Sequence, residues 1–287
     1  MNKKARSVLG TVLVVATFIS LMMYFVVADT ECTGQDCSVS TSLSVGNSVP
    51  NITNVEGGLD VTLTEESSVT KNVTFNVTDN NGFADLNDST AQCIGFKTGE
   101  ANRTSSSCTP LTQSGNNASY DCAVDFQYFD AAAADWTWNC TISDNSAASA
   151  TNDTVSFTIN SLNFVDVNVT TVSWAVVNPS TDDEEADAPI NLDNGGNQNY
   201  ETAFVTAYNA TDGSNVIPAS VFSLNNLTGQ TAGQTYMVEN VSTNITSFFT
   251  LPRGNAANED IFVYVDTPAV PTGSYTSTNN WIIEITA

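Results

Sequence analysis

The chain is 287 residues long and carries a formal net charge of -24, with only 7 Lys and Arg in all and no His. So few cations cannot displace the counterions of a nucleic acid, so no nucleic-acid partner is expected, and an anionic membrane surface repels the chain. Without imidazole the common catalytic triads, most zinc sites and most general bases of the neutral range are missing, although carboxylate chemistry stays open. Two explanations of the acidity stand: a surface suited to high salt, where screening removes like-charge repulsion, or a cation-binding surface. Lys is scarce beyond the N-terminus, only Lys71 and Lys97, and this favours the high-salt, halophilic reading.

Residues 8–28 form an uncharged run behind Lys3, Lys4 and Arg6. Such a run is about as long as a helix that crosses a bilayer, and its basic flank keeps the start in the cytoplasm and sends the rest outside. Three readings fit. A signal peptide could be cleaved near Ala28; a transmembrane signal-anchor could keep residues 8–28 in the membrane; or a leader could be cut near Ala5, since residues 5–13 resemble the leader of archaeal type IV pilins. All three export residues 29 onward, to an extracellular or cell-surface location. Cys32 and Cys37 stand too far from any other Cys for a metal set, and read as a short disulfide staple in a spacer over 29–49.

From residue 50 to 162 short alternating runs lie between turn signals. Leu59, Val61 and Leu63 alternate with polar residues, as do Val73, Phe75 and Val77, and further runs follow at 91–96, 122–129, 136–142 and 155–159. A period of two puts apolar side chains on one face and polar ones on the other, which predicts a β-sandwich. Residues 131–134 have helical propensity but are too few for a helix. Of the three pairings open to Cys93, Cys108, Cys122 and Cys140, we expect Cys108 with Cys122, which bracket a polar loop, and Cys93 with Cys140, which sit inside apolar runs. An even Cys count points to an oxidising compartment. The turn after Val77 offers Asp79, Asn81, Asp85 and Asp88 as oxygen ligands for calcium, although its spacing is not that of an EF-hand; the alternative is a turn capped by Asx side chains.

Three segments, VTFNVTDNNGFADLND, SCTPLTQSGNNASYDCAVDFQYFD and WTWNCTISDNSA, in this order, resemble a recurring immunoglobulin-like module of exported surface proteins of small-genome (DPANN-type) archaea. The resemblance covers most of residues 50–287. It implies a structural or adhesive role and brings no catalytic residues.

Residues 161–165 join the halves without a Pro or Gly linker, so the two are expected to be closely coupled. In the second half Val165, Val167 and Val169, then Val172, Trp174 and Val176, alternate with polar residues. The acidic run 182–187 reads as a solvated loop, since like charges repel. Strands are expected at 203–208, 216–224, 234–241, 245–251, 261–265 and 281–285. Arg253, in the turn LPRGN, reads as one side of a surface ion pair. The turns NLDNGGN and LPRGN and the final strand around Trp281 resemble the second module of the same archaeal proteins, and no C-terminal anchor is expected after that strand.

Acceptors of N-linked glycosylation occur at Asn51, Asn72, Asn76, Asn87, Asn102, Asn117, Asn139, Asn152, Asn168, Asn209, Asn226, Asn240 and Asn244. In several the middle residue is Ile, Val or Leu, as a strand requires when its flanking pair faces solvent; the β preference of Thr gives the same pattern. The sequence therefore predicts an all-β chain of two tandem immunoglobulin-like sandwiches, over 50–162 and 163–287, behind a hydrophobic N-terminal helix. The expected protein is a non-enzymatic cell-surface glycoprotein of structural or adhesive function, such as a cell-coat (S-layer) component. It would meet other surface proteins or its own copies, and the membrane through residues 8–28 if these are retained. It needs no cofactor, with calcium as the candidate ion. The alternatives are a pilin-like filament subunit and a carboxylate-dependent glycosidase, which would need two acids roughly 5–9.5 Å apart across a cleft.

Overall fold

The computed structural model describes residues 40–56 and 60–287. The hydrophobic N-terminal run, the Cys32 and Cys37 staple and Leu59 lie outside the described residues. The chain divides into two units, Met1–Gly46 and Asn47–Ala287. Residues 40–46 are exposed and carry no regular structure. The described part is all-β, without an α-helix, and the second unit contains two hydrophobic cores.

Eight strands surround the first core: β1 (Asn51–Glu56), β2 (Asp60–Val61), β3 (Val69–Thr78), β4 (Leu86–Phe96), β5 (Arg103–Ser114), β6 (Asn117–Phe126), β7 (Ala133–Asp144) and β8 (Ser149–Ile159). Their hydrogen-bonded order is β1-β3-β6-β5-β4-β7-β8-β2. This path folds over on itself at β5, where Arg103 and Thr104 pair with β4 while Ser105 onward pairs with β6. The result is a sandwich-like pair of layers, β1-β3-β6-β5 against β4-β7-β8-β2. Val73, Phe75 and Val77 point inward and are buried, as the alternation of β3 dictates. Phe75 stacks on Tyr120 at 5.1 Å, and Phe126 of the first layer meets Trp136, Trp138 and Phe157 of the second edge-on at 6.0, 5.8 and 5.5 Å. Aromatic pairs of this geometry add to the burial of their large apolar area.

Both disulfides of this half lie inside a layer and not between layers. Cys93 faces Cys140 across β4 and β7, and Cys108 faces Cys122 across β5 and β6. The residues between Cys108 and Cys122 do not make a free loop: they complete the β5–β6 hairpin, which turns at Gly115 and Asn116. Residues 131–134 likewise lead into β7.

The second core is enclosed by shorter strands. The largest sheet runs Thr235–Tyr236, Phe222–Asn225, Ala257–Val265, Ile190–Asn194 and Val165–Val167, and two three-stranded sheets stand beside it. Three of the predicted strands are broken. The run 234–241 keeps only Thr235–Tyr236, because Val241 N–H bonds back to Val238 O at 3.2 Å and Asn240 turns the chain at φ 55°. The run 216–224 is interrupted because Pro218 has no N–H for a ladder, and a single 3-10 turn, Ala219–Val221, separates Val216–Ile217 from Phe222–Asn225. The run 245–251 is a turn, because Asn244 Oδ1 accepts the Thr246 N–H at 2.8 Å and Phe248 N–H bonds back to Ile245 O at 3.2 Å. Its apolar side chains Ile245, Phe249 and Leu251 are buried nonetheless.

The two cores are joined by a bonded junction. The buried Asn197 donates to the carbonyls of Asp130 and Asn160 at 3.0 and 2.9 Å and accepts the Leu162 N–H at 2.7 Å. Beside it Gly196 lies so close to residues 162–164 that a Cβ would overlap the Leu162 carbonyl oxygen. Arg253 pairs with Glu100 and also donates to the Phe129 carbonyl at 3.0 Å, so this predicted surface pair is a half-buried link between the halves.

Candidate functional site

The pleat of two strands sends acids toward one end of the first core. Asp79 follows Val73, Phe75 and Val77 at the same parity and is 1% exposed; Asp144 follows Trp136, Trp138, Cys140 and Ile142 in the same way and is 2% exposed. Because β3 belongs to one layer and β7 to the other, the two carboxylates converge as the layers close. The 3-10 turn Phe83–Asp85 brings Asp85 beside them, and one carboxylate oxygen of each acid lies within 4.8 Å of the others.

The loops at this end are built around these side chains. Asp79 N–H donates to Asn116 O at 2.8 Å and Asp79 Oδ1 accepts the Asn81 N–H at 2.8 Å. Gly82 takes φ 98°, a value that residues with a Cβ rarely adopt, so the chain can reverse into the 3-10 turn. Asp85 O accepts the Asn145 N–H at 2.7 Å and so couples the turn to the β7–β8 hairpin. Asp144 Oδ1 accepts the N–H groups of Ser146 and Ala148 at 2.9 and 2.8 Å, and its Oδ2 accepts from Asn47 Nδ2 at 2.8 Å. Ser48 N–H donates to Asn81 Oδ1 at 2.6 Å. Asp79 Oδ2 is enclosed and accepts no hydrogen bond from any of the described residues.

The electrostatics differ among the acids. Loss of hydration, then the charges of Asp144 and Asp79, push the Asp85 carboxyl above its usual range. The donor amide of Asn47, followed by the N–H groups of Ala148 and Ser146, holds Asp144 below it. Among the described residues no Lys or Arg pairs with any of the three; the ion pairs are Lys97 with Asp135, Arg103 with Asp130 and Arg253 with Glu100.

Of the four residues that the turn offered as calcium ligands, Asp79 and Asp85 are brought together, while Asn81 donates its N–H to Asp79 Oδ1 and turns its own Oδ1 to the Ser48 N–H. Asp88 is set apart. Its carboxylate accepts from Tyr120 Oη on β6 at 2.5 Å and from Gln113 Nε2 on β5 at 3.0 Å, since it lies in the stretch of β4 where the pairing with β7 is interrupted, between Asn87 and Gln92. Burial, then Asp88 as acceptor, pushes the Tyr120 phenol far above its ordinary range. Asp144 is the member that the turn motif does not contain. Extending the parity of Trp136 to Ile142 by one step finds it.

The acidic run 182–187 is not a free solvated loop. Glu184–Glu185 pairs with Val265 and Tyr264 at the end of Ala257–Val265. Glu185 accepts from Thr228 Oγ1 and Gly229 N–H, and Asp187 accepts from Ser173 Oγ at 3.0 Å. These neutral donors and the strand pairing fix the run in place against its own like-charge repulsion.

None of the sequon asparagines is buried. Asn51, Asn72, Asn102, Asn117, Asn168, Asn240 and Asn244 are exposed, and Asn76, Asn87, Asn139, Asn152, Asn209 and Asn226 are half-buried. On β3, Asn72 and Asn76 stand on the face opposite Val73, Phe75 and Val77. A cleft of about 290 Å³ in the second half is lined mainly by Phe164, Val165, Val167, Tyr200, Ile283 and Ile285. No known protein family matches the chain, and no curated protein matches it either.

Proposed function

We propose that the protein is a non-enzymatic structural or adhesive glycoprotein displayed outside the membrane, such as a component of a cell coat. In this reading residues 50–162 and 163–287 are two immunoglobulin-like domains, and residues 1–28 are the signal or anchor that exports them. The observation that carries the reading is the partition of side chains on the strands: aliphatic and aromatic groups inward and the sequon asparagines exposed or half-buried, with none of the acceptors buried and only a few acids, among them Asp79, Asp130 and Asp144, enclosed. The disulfides Cys93–Cys140 and Cys108–Cys122 support export to an oxidising compartment. The bonded junction at Asn197 and Arg253 supports a load-bearing role, since force on one core passes to the other through fixed contacts and not through a flexible linker.

Mass spectrometry of the intact protein from its native source tests this. The expected mass is that of a chain with oxidised cysteines and glycan increments on several of the acceptors, starting near residue 29 or retaining its N-terminus. A native chain with free thiols and bare asparagines overturns the reading.

A further inference from the structure

We propose that Asp79, Asp85 and Asp144 bind one calcium ion, which fastens the two layers of the first core at the end where the chain enters it.

Three observations carry this. First, the three carboxylates come from separate places, the end of β3, the following 3-10 turn and the end of β7, yet offer oxygens within 4.8 Å of one another. Calcium holds oxygen ligands at about 2.3–2.6 Å, so oxygens spread over that distance fit around a single ion. Magnesium demands strict octahedral order at about 2.0–2.1 Å and gives up its waters reluctantly, which suits an enclosed carboxylate oxygen less well than calcium does. Second, the inward-pointing Asp79 is 1% exposed; its Oδ1 is occupied by the Asn81 N–H, while Oδ2 is enclosed and meets no donor among the described residues. A buried anionic oxygen without a partner is costly and rare, and here its nearest charged neighbours are two more acids. Third, among the described residues no Lys or Arg reaches this end, although Asp130, Asp135 and Glu100 each have one. A hard divalent ion satisfies the open oxygen of Asp79 and cancels the repulsion in one step. Asn47 and Ser48 bond to Asp144 and Asn81, so occupancy of the site also orders the incoming segment.

The test is a titration of calcium chloride into the full chain stripped of metal with a chelator, followed by calorimetry and by thermal unfolding. One ion per chain is expected with a dissociation constant of about 10⁻⁴–10⁻³ M, the range of extracellular modules. Calcium at about ten times that constant should raise the unfolding midpoint by about 3–6 °C. Asp79→Asn and Asp85→Asn should each weaken binding about tenfold or more, since ligand charge sets affinity in such sites. If Asp79→Asn fails to fold, the half-exposed Asp85 carries the test alone. Absence of saturable binding overturns the proposal, as does calcium binding that is unchanged in Asp85→Asn, or magnesium that stabilises as well as calcium at equal concentration.

Discussion

Two acids are buried at opposite ends of the β3–β6 ladder, and they are satisfied in opposite ways. At the end near Val69 and Phe126, Asp130 is 2% exposed and receives both an Arg103 guanidinium, with Nε at 2.9 and 2.8 Å from its oxygens, and the Gln127 N–H at 2.8 Å. Arg103 in turn lies over the Phe129 ring at 5.6 Å. At the end near Thr78 and Asn117, Asp79 is as deeply buried but meets Asp85 and Asp144. The first end is neutral by itself. The second has no cation among the described residues, and this asymmetry separates a structural ion pair from a receptive site even though both read as buried acids.

The largest effect should come from removing the cation at the self-sufficient end. Arg103→Ala leaves Asp130 ionised and enclosed, which should cost about 3–5 kcal/mol, read as a fall in the urea midpoint. A loss below about 1 kcal/mol would mean that the pair behaves as an exposed one and that the two ends do not differ as argued. Next in size is the junction that Asp130 helps to hold through its carbonyl. Gly196→Ala drives a methyl into the Leu162 carbonyl and should cost about 1–3 kcal/mol, with faster hydrogen exchange at Leu162 and Asn197. Unchanged exchange there would show that the junction yields without strain.

Neutralising one acid at each end turns the comparison into a difference of sign. In calcium-free buffer Asp85→Asn removes one of three mutually repelling charges and should raise the melting midpoint. Asp130→Asn strips Arg103 of its partner and should lower it. Two shifts of the same sign would break the contrast.

The first core was largely legible because its strands are long. Over ten residues of β3 or twelve of β7 the alternation of Val73, Phe75 and Val77, or of Trp136, Trp138 and Cys140, is too regular to mistake. In the second half most strands span two to five residues, too short for a period to declare itself, and packing decides the rest. Val172, Trp174 and Val177 pack against the second core without belonging to any strand. The acidic end was half legible. Asp79 and Asp85 share a turn with Asp88, but which acids meet depends on the closure of two layers, and a local motif cannot know that Asp144 arrives from β7 while Asp88 is claimed by Tyr120. The acidic run 182–187 misled for a related reason, because its partners Thr228 and Ser173 are distant in sequence.

A third acid marks the middle ground between a cation partner and none, and it predicts the smallest effect. Asp212 caps an exposed turn: Oδ1 accepts the N–H groups of Ser214 and Asn215 at 2.8 and 2.7 Å, and Oδ2 accepts the Asn215 amide at 2.9 Å. These donors, the Asn215 side chain first, lower its carboxyl to about 2. An unfolded Asp titrates near 3.9. Because the folded value is the lower one, the stability that this carboxylate adds is complete above about pH 4 and is lost as the pH falls toward about 2. Asp212→Ala should therefore flatten the acid limb of a urea-midpoint against pH curve and leave neutral-pH behaviour at the two ends of the first core untouched. Neutral donors alone, the Asn215 amide and two backbone N–H groups, would then suffice to hold a carboxylate at the surface, and an acid limb that stays as steep in the variant would assign that titration to a buried acid instead.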